Sequence, residues 1–124
     1  MREPGSRDVG YEYLIHGTRG QYALVDEIDY YLFGNLMWQT KQSSLSRGKF
    51  YLYRKESIGD FRRTLYLHRE IMMLIESEPH DGAVVDHCNG DSLDCRRENL
   101  RWTTQRDNAR NRLGLFMRQR SLQL

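Results

Sequence analysis

The sequence predicts an α+β fold, with an N-terminal antiparallel sheet followed by a β-hairpin and a helix. Runs rich in aromatic and β-branched residues recur at 21–26, 50–54 and 63–67, as in short strands. Two further short apolar runs follow, at 84–87 and 100–103. The first of these leads into Asn89-Gly90-Asp91, residues that tolerate the positive φ of a sharp turn. The two runs are therefore predicted to pair as a hairpin with a long irregular connection over 92–99.

Helices and loops fill the intervals between these runs. Residues 29–38 mix aromatic residues with Gly34, which suits a short helical turn followed by a strand, and 39–48 is polar and serine-rich, as loops are. Apolar residues recur at helical spacing between 68 and 75. Thr104, with Asp107 three residues later, suits the start of a helix over 105–113 that Gly114 would end.

The length of 124 residues suits one compact domain with a small core. Within it we expect four parts along the chain: a loose arm over 1–20, the sheet over 21–66, the hairpin–helix module over 67–113 and a tail over 114–124. Leu100, Trp102 and Tyr66 are expected in the core. No apolar run approaches the ~20 residues that cross a bilayer, and the first residues do not resemble a secretory signal. We therefore expect a cytoplasmic protein without membrane contact.

Charge is unevenly distributed, although the net charge is only +2. Residues 34–72 hold eight basic and three acidic residues, and 96–124 hold eight arginines against two acids. Between them, 73–95 hold six acids and no base. Two basic segments that flank an acidic one are typical of a polyanion-binding surface around a cation-binding pocket. The alternative is a solvated surface with chance clustering.

Asp86 and His87 lie side by side at the end of an apolar run. A carboxylate oxygen suits a hard divalent cation, and Asn108 offers a carbonyl oxygen 22 residues later. The ordinary pKa of histidine, near 6.5, leaves His87 mostly neutral and able to accept a proton from water. Strand alternation places Asp86 and His87 on opposite faces, so a twist or bulge must bring both to one cleft.

The order of residues around this pair resembles the HNH endonuclease family, in particular its small phage and intron-encoded homing enzymes. The resemblance rests on Asp86-His87, then Asn89-Gly90-Asp91, Asp94, 96–102 and Asn108. The short helix begun by 67–72, and 23–30 with Trp38 further upstream, also look like these enzymes. The resemblance covers roughly 21–113 and implies a ββα-metal fold.

The resemblance also implies roles and partners. Asp86 and Asn108 are expected to hold one divalent cation, Mg²⁺ above all with Mn²⁺ as a substitute, and no small-molecule cofactor. His87 is the expected general base. Asn99 completes the catalytic motif as a residue that ties the connecting loop to backbone near His87. The implied activity is hydrolysis of double-stranded DNA to 5′-phosphate and 3′-hydroxyl ends.

The DNA contacts are expected from two basic surfaces. The first is the sheet, through Arg54, Lys55, Arg62 and Arg63, and the second is the last helix, through Arg106, Arg110 and Arg112. Arg101 is expected to touch DNA or to brace the motif.

Several alternatives stay open at this point. The protein could be a catalytically silent DNA-binding regulator with the same fold, or, on basic charge and aromatics alone, an RNA-binding protein. His68 is more simply a helix histidine packed beside the core than an active-site residue. The two cysteines are better explained as incidental thiols than as zinc ligands. No dimer interface is readable, which favours a monomer that nicks one strand over a homodimer.

Overall fold

Three small antiparallel sheets and three helices form the α+β fold that the sequence predicts. The computed structural model describes residues 12–44 and 48–112, with side chains as far as residue 109. In chain order the elements are β1 Tyr13–His16, β2 Tyr22–Val25, α1 Glu27–Phe33, β3 Gln39–Gln42, β4 Phe50–Ile58, β5 Phe61–Tyr66, α2 Leu67–Ile75, β6 Val84–His87, β7 Leu100–Thr103 and α3 Gln105–Arg112. A 3₁₀ turn, Arg97–Asn99, precedes β7. The described part of the chain includes no helix long and apolar enough to span a membrane.

The N-terminal region differs from its prediction in three places. Residues 13–16, expected in the loose arm, form β1 and pair with β2. The sheet expected over 21–66 is instead a β1–β2 hairpin and a separate sheet of order β3-β4-β5. Residues 39–42, expected in a loop, form the edge strand β3, because pairing with β4 outweighs the polar composition of 39–42. Residues 1–11 and the tail over 114–124 lie outside the described residues.

The two faces of the β3-β4-β5 sheet have different neighbours. Leu52 and Thr40 lie on one face, which packs against the turn of the β1–β2 hairpin. A Cβ on Gly17 would come within 2.5 Å of Leu52 Cδ2 and 2.7 Å of Thr40 Oγ1, so a larger residue would require these side chains to move. Tyr51, one residue along β4, lies on the opposite face. Alternation therefore assigns one face of the sheet to the core and leaves the other for the cleft described below.

A single core joins the N-terminal elements to the C-terminal hairpin. Its buried members include Ile15, Val25, Trp38, Leu52, Leu67, Ile71, Val85 and Leu100, with Trp102 packed partly buried against it. Leu100 and Trp102 thus occupy the core region as expected. Tyr66 does not: it is half-buried and lines a cavity.

Polar contacts fix the loop between β6 and β7 to the N-terminal elements. The backbone N–H of Leu24 donates to Leu93 O, and that of Cys95 donates to Leu24 O, each at 2.8 Å. Arg97 donates to both oxygens of Asp29 at 2.9 and 2.8 Å, and Asp29 is fully buried at 0% exposure. Such an ion pair between a planar guanidinium and a carboxylate has directional geometry and fixes relative orientation. Residues more than 65 apart in sequence therefore set the position of this loop.

Candidate active site

Asp86 and His87 are the last two residues of β6, and both are buried, at 3% and 5% exposure. In the β6–β7 register Asp86 is the partner of Arg101, and His87 is the partner of Leu100. The two side chains begin on opposite faces, as alternation requires, yet both line one shallow pocket at the strand end. The structure thus brings together the two residues that the sequence analysis had to reconcile.

Arg101 braces Asp86. Its Nε and Nη2 donate to the same carboxylate oxygen, Oδ2, at 3.0 and 2.8 Å. A buried carboxylate needs such a partner to offset the loss of hydration. Of the two roles expected for Arg101, the geometry favours bracing the motif over contacting DNA.

Asn99 is buried and holds the connecting loop in shape. Its Oδ1 accepts from the backbone N–H of Asn89 at 2.9 Å, and its Nδ2 donates to Asp94 O at 2.8 Å and to Asn89 Oδ1 at 3.0 Å. The backbone N–H of Cys88 also donates to Asn99 O at 2.8 Å. Asn99 is therefore tied to the two residues that follow His87, which is the structural role expected of it.

His87 lies in an aromatic surrounding. Its ring centroid is 5.0 Å from that of His68 and 6.1 Å from that of Tyr51, and its Nε2 lies 3.9 Å from Cys95 Sγ. Burial, together with the positive charge of Lys49, lowers the pKa of His87 to about 4. Burial and the neighbouring His87 also hold the pKa of His68 well below its ordinary value. Both imidazoles are consequently neutral at pH 7, which is the form that accepts a proton.

The pocket at the end of β6 is lined by oxygen atoms that could bind a cation and by one positively charged side chain. Asp86, His87 and Asn108 line it together with Lys49 and Tyr51, and its volume of about 20 Å³ has room for one water molecule or small ion. Asn108 reaches it from α3, where Thr104 Oγ1 accepts from the backbone N–H of Asp107 and caps the helix as predicted.

A carboxylate and an amide facing one pocket fit a hard divalent cation such as Mg²⁺. Within residues 12–44 and 48–112 no group of three or more His, Cys, Asp or Glu side chains could hold a metal. Two protein ligands leave most positions around a cation to water and phosphate oxygens, which suits Mg²⁺. The residues present therefore fit the group that the resemblance implies.

Three residues of this site were missed or given another role by sequence reasoning. Lys49 was counted only as part of a basic segment, and Tyr51 only as a strand residue. His68, expected only to pack beside the core, also lies next to His87, with the two rings tilted at 47°. A signal was available for His68, because it lies at the start of the helix that the resemblance places before the motif. Lys49 carries no such signal, since only the fold of β4 brings it to the pocket.

Residues 66–110 match the family model described as HNH endonuclease. The matched segment begins at the end of β5 and includes α2, the β6–β7 hairpin and Asn108, about a third of the chain. No curated protein and no solved structure matched the chain. The match supports the HNH resemblance of this segment and, with it, a nuclease that acts on DNA.

The basic residues expected to contact DNA divide between the two faces of the β3-β4-β5 sheet. Register places Lys55 and Arg62 on the same face of the sheet as Tyr51, further along β4 and β5 from the pocket. Arg54 and Arg63 lie on the other face, where Glu56 pairs with both, at 3.7 and 2.7 Å. These contacts also lower the pKa of Glu56, chiefly through its hydrogen bond with Arg63. The four residues therefore do not form one DNA-contacting surface.

Arg106 is exposed on α3, close in sequence to Asn108. Arg110 and Arg112 belong to the same helix, and their side chains lie outside the described residues.

Proposed function

We propose that this chain is a metal-dependent endonuclease that hydrolyses phosphodiester bonds in double-stranded DNA. The observation that carries the proposal is the convergence of Asp86, His87 and Asn108, from a strand end and a separate helix, on one pocket. A carboxylate, a neutral imidazole and an amide oxygen are the groups that hydrolysis with a hard cation requires.

The residues of the pocket take distinct parts in the proposed reaction. Asp86 and Asn108 would hold the divalent cation, most simply Mg²⁺ with Mn²⁺ as a substitute, and Arg101 fixes the carboxylate. When bound, the cation supplies charge stabilisation on the phosphate and on the leaving oxygen. The imidazole of His87 accepts a proton from the attacking water, and the ammonium of Lys49 attracts a phosphate oxygen to the pocket. Attack on phosphorus with departure of the 3′ oxygen leaves 5′-phosphate and 3′-hydroxyl ends.

We further propose that the enzyme is of the homing or homing-like phage type, acts in the cytoplasm of a bacterial host, and needs no small-molecule cofactor. As a monomer it presents one pocket, so a single encounter would nick one strand. The sheet face of Lys55 and Arg62 would bind DNA, with Arg106, Arg110 and Arg112 contacting phosphates from α3. Arg54 and Arg63 are left out of this surface because they lie on the face of Glu56.

A second candidate is a catalytically silent DNA-binding regulator. Two positive charges, Arg101 on the Asp86 carboxylate and Lys49 in the same pocket, favour it, because both disfavour a cation there. The intact Asp86, His87 and Asn108 favour the nuclease, since a protein that only binds DNA has no need of this set.

Nicking of supercoiled plasmid, with Mg²⁺ and with EDTA, tests the proposal. The wild-type chain should produce open circles only with the cation, and His87→Ala should slow this by roughly 10²- to 10⁴-fold, as loss of a general base does. DNA affinity, measured in EDTA, should be equal for the two proteins. Tight DNA binding by a wild-type chain that never nicks would establish the regulator instead.

A further inference from the structure

A cavity of about 480 Å³ lies beside the active-site pocket, and the proposed chemistry does not use it. The two share Tyr51 and Asn108 as lining residues, so they are adjacent. This volume lies in the range of small-molecule sites in proteins. It is far larger than a phosphate or a metal ion requires. A group larger than the reacting phosphate therefore fits next to it.

Flat rings and basic groups line this cavity. The rings are those of Tyr51, Tyr66 and His68, and Val84 and Val85 add apolar surface. Centroids of Tyr66 and His68 are 5.8 Å apart, and those of His68 and Tyr51 are 5.3 Å apart, so the rings follow one another towards His87. Lys41 and Arg69 also line it. Arg69 is paired with Glu78 at 2.7 Å, and Lys41 Nζ donates to Tyr66 Oη at 3.4 Å.

Aromatic faces beside basic side chains form the combination that binds unpaired nucleotides, because every base has a face that stacks and a phosphate that is attracted. A stacked duplex presents base edges in its grooves and keeps its base faces covered. The rings of this cavity are therefore matched to a base that has left the helix.

A second cavity of similar size provides a contrast. It measures about 470 Å³ and is lined by the β1–β2 hairpin and the β6–β7 loop, with Glu12 and Asp91 as its charged residues. None of its described lining residues is basic. Size alone therefore does not distinguish the first cavity, whereas rings and positive charge beside the active site do.

We propose that the cavity of Tyr51, Tyr66 and His68 binds one nucleobase extruded from the DNA duplex next to the phosphate that is cut. The inference rests on the proposed nuclease function, and it specifies the state of the substrate. The extruded base would stack on Tyr66 and His68 while its phosphate lies towards Lys49. Extrusion would pull the neighbouring phosphodiester out of the regular backbone and into the pocket of Asp86 and His87.

Fluorescence of 2-aminopurine tests this with the full chain, because the emission of this base rises when it leaves the stacked bases of the duplex, and stacking on the rings of Tyr66 and His68 limits the size of the rise. Duplexes carry the probe at successive positions around a nick mapped on plasmid DNA, or across the protein's footprint if no nick forms. EDTA prevents cleavage throughout. Binding should raise the emission at one position adjacent to the cut, and Tyr66→Ala should abolish the rise and weaken binding about 5- to 100-fold. Tyr66→Phe keeps the ring and should keep the rise. Tyr31→Ala, which removes a ring on α1 that is 68% exposed, is the matched control and should change neither.

Lesions in the DNA give two effects of opposite sign. An abasic site at the extruded position removes the stacking group and should weaken binding. An abasic site opposite it removes the pairing partner, lowers the cost of extrusion and should tighten binding. Nicking without a rise at any position, or a rise that persists in Tyr66→Ala, would refute the inference while leaving the nuclease intact. A rise without nicking would refute the nuclease, and with it the position of the base beside a cut phosphate, while leaving the cavity as a site for an extruded base.

Discussion

Arg101 donates two hydrogen bonds to a single oxygen of Asp86 across the β6–β7 hairpin, from Nε at 3.0 Å and from Nη2 at 2.8 Å. The pair couples the stability of the hairpin to the position of the proposed metal ligand. The exposed fraction of the side chain is 27% for Arg101 and 4% for Asp86. Loss of the guanidinium would therefore remove two charge-assisted hydrogen bonds from a buried carboxylate.

Arg101→Gln should reduce the free energy of unfolding by about 1–3 kcal/mol, the cost of removing hydrogen bonds from a buried charged group. Urea denaturation followed by circular dichroism measures it. Arg63→Gln is the control, because the Arg63–Glu56 pair is exposed and a solvent-exposed ion pair contributes little to stability. Equal losses in the two variants would show that Arg101 is a surface residue rather than a brace.

Asn108→Ala should raise the Mg²⁺ concentration at half-maximal nicking, because the variant loses one of two proposed oxygen ligands. Asp86→Asn should raise it further, since it loses the anionic ligand. Asn108→Asp supplies a carboxylate and should require less Mg²⁺ than Asn108→Ala. If Asn108→Ala titrates like the wild type, Asn108 is only a residue of α3.

The two sheet faces predict different salt dependence of DNA binding. Replacing Lys55 and Arg62 with glutamine should flatten the slope of log K against log salt by about 1–2 units, because each phosphate that a basic side chain neutralises adds about 0.9 to the slope. Replacing Arg54 and Arg63 together, on the face of Glu56, should leave it nearly unchanged. The reverse result would place DNA on the other face of the β3-β4-β5 sheet.

Folding stability should fall with acid, because His68 and His87 are neutral in the folded chain. Their folded pKa values lie below 6.5, so the unfolded chain binds protons first as the pH drops. Stability is thus complete above about pH 7 and declines below 6.5 through both histidines. For His87 the decline is about 1.4 kcal/mol per pH unit and levels off near pH 4. Urea midpoints at pH 7.5 and 5.5, in EDTA, measure the decline.

In His68→Gln roughly half of this pH dependence should disappear. The exposed His16 provides the control, since His16→Gln should retain the full decline. An unchanged decline in His68→Gln would mean that His68 is not held neutral by burial.

Secondary structure could be predicted from the sequence where the local pattern of residues determines it. The strands β2, β4 to β7, the helix α2 and the Thr104 cap follow from apolar spacing and hydrogen-bonding chemistry within a few residues. The prediction of a loop was wrong for β3, because the polar residues of 39–42 take a strand conformation only when β4 is beside them.

In the candidate site, Asp86, His87 and Asn108 could be found because they belong to one ordered motif. Lys49 could not, since only the tertiary path of β4 brings it to the pocket. The division of Arg54, Lys55, Arg62 and Arg63 between two faces likewise depends on the β4–β5 register, which composition does not reveal.

The ion pair between Asp29 and Arg97 bears on whether the segment that matches the HNH model would keep its structure on another scaffold. Arg97 belongs to the matched segment 66–110, whereas Asp29 and the strand residue Leu24, which also holds the loop, lie far upstream. The structure of the matched segment thus depends on residues outside it. A chimaera that carries 66–110 on a foreign scaffold would include the proposed catalytic side chains without the contacts that hold their loop. Transfer of the proposed activity would therefore require β2 and α1 as well.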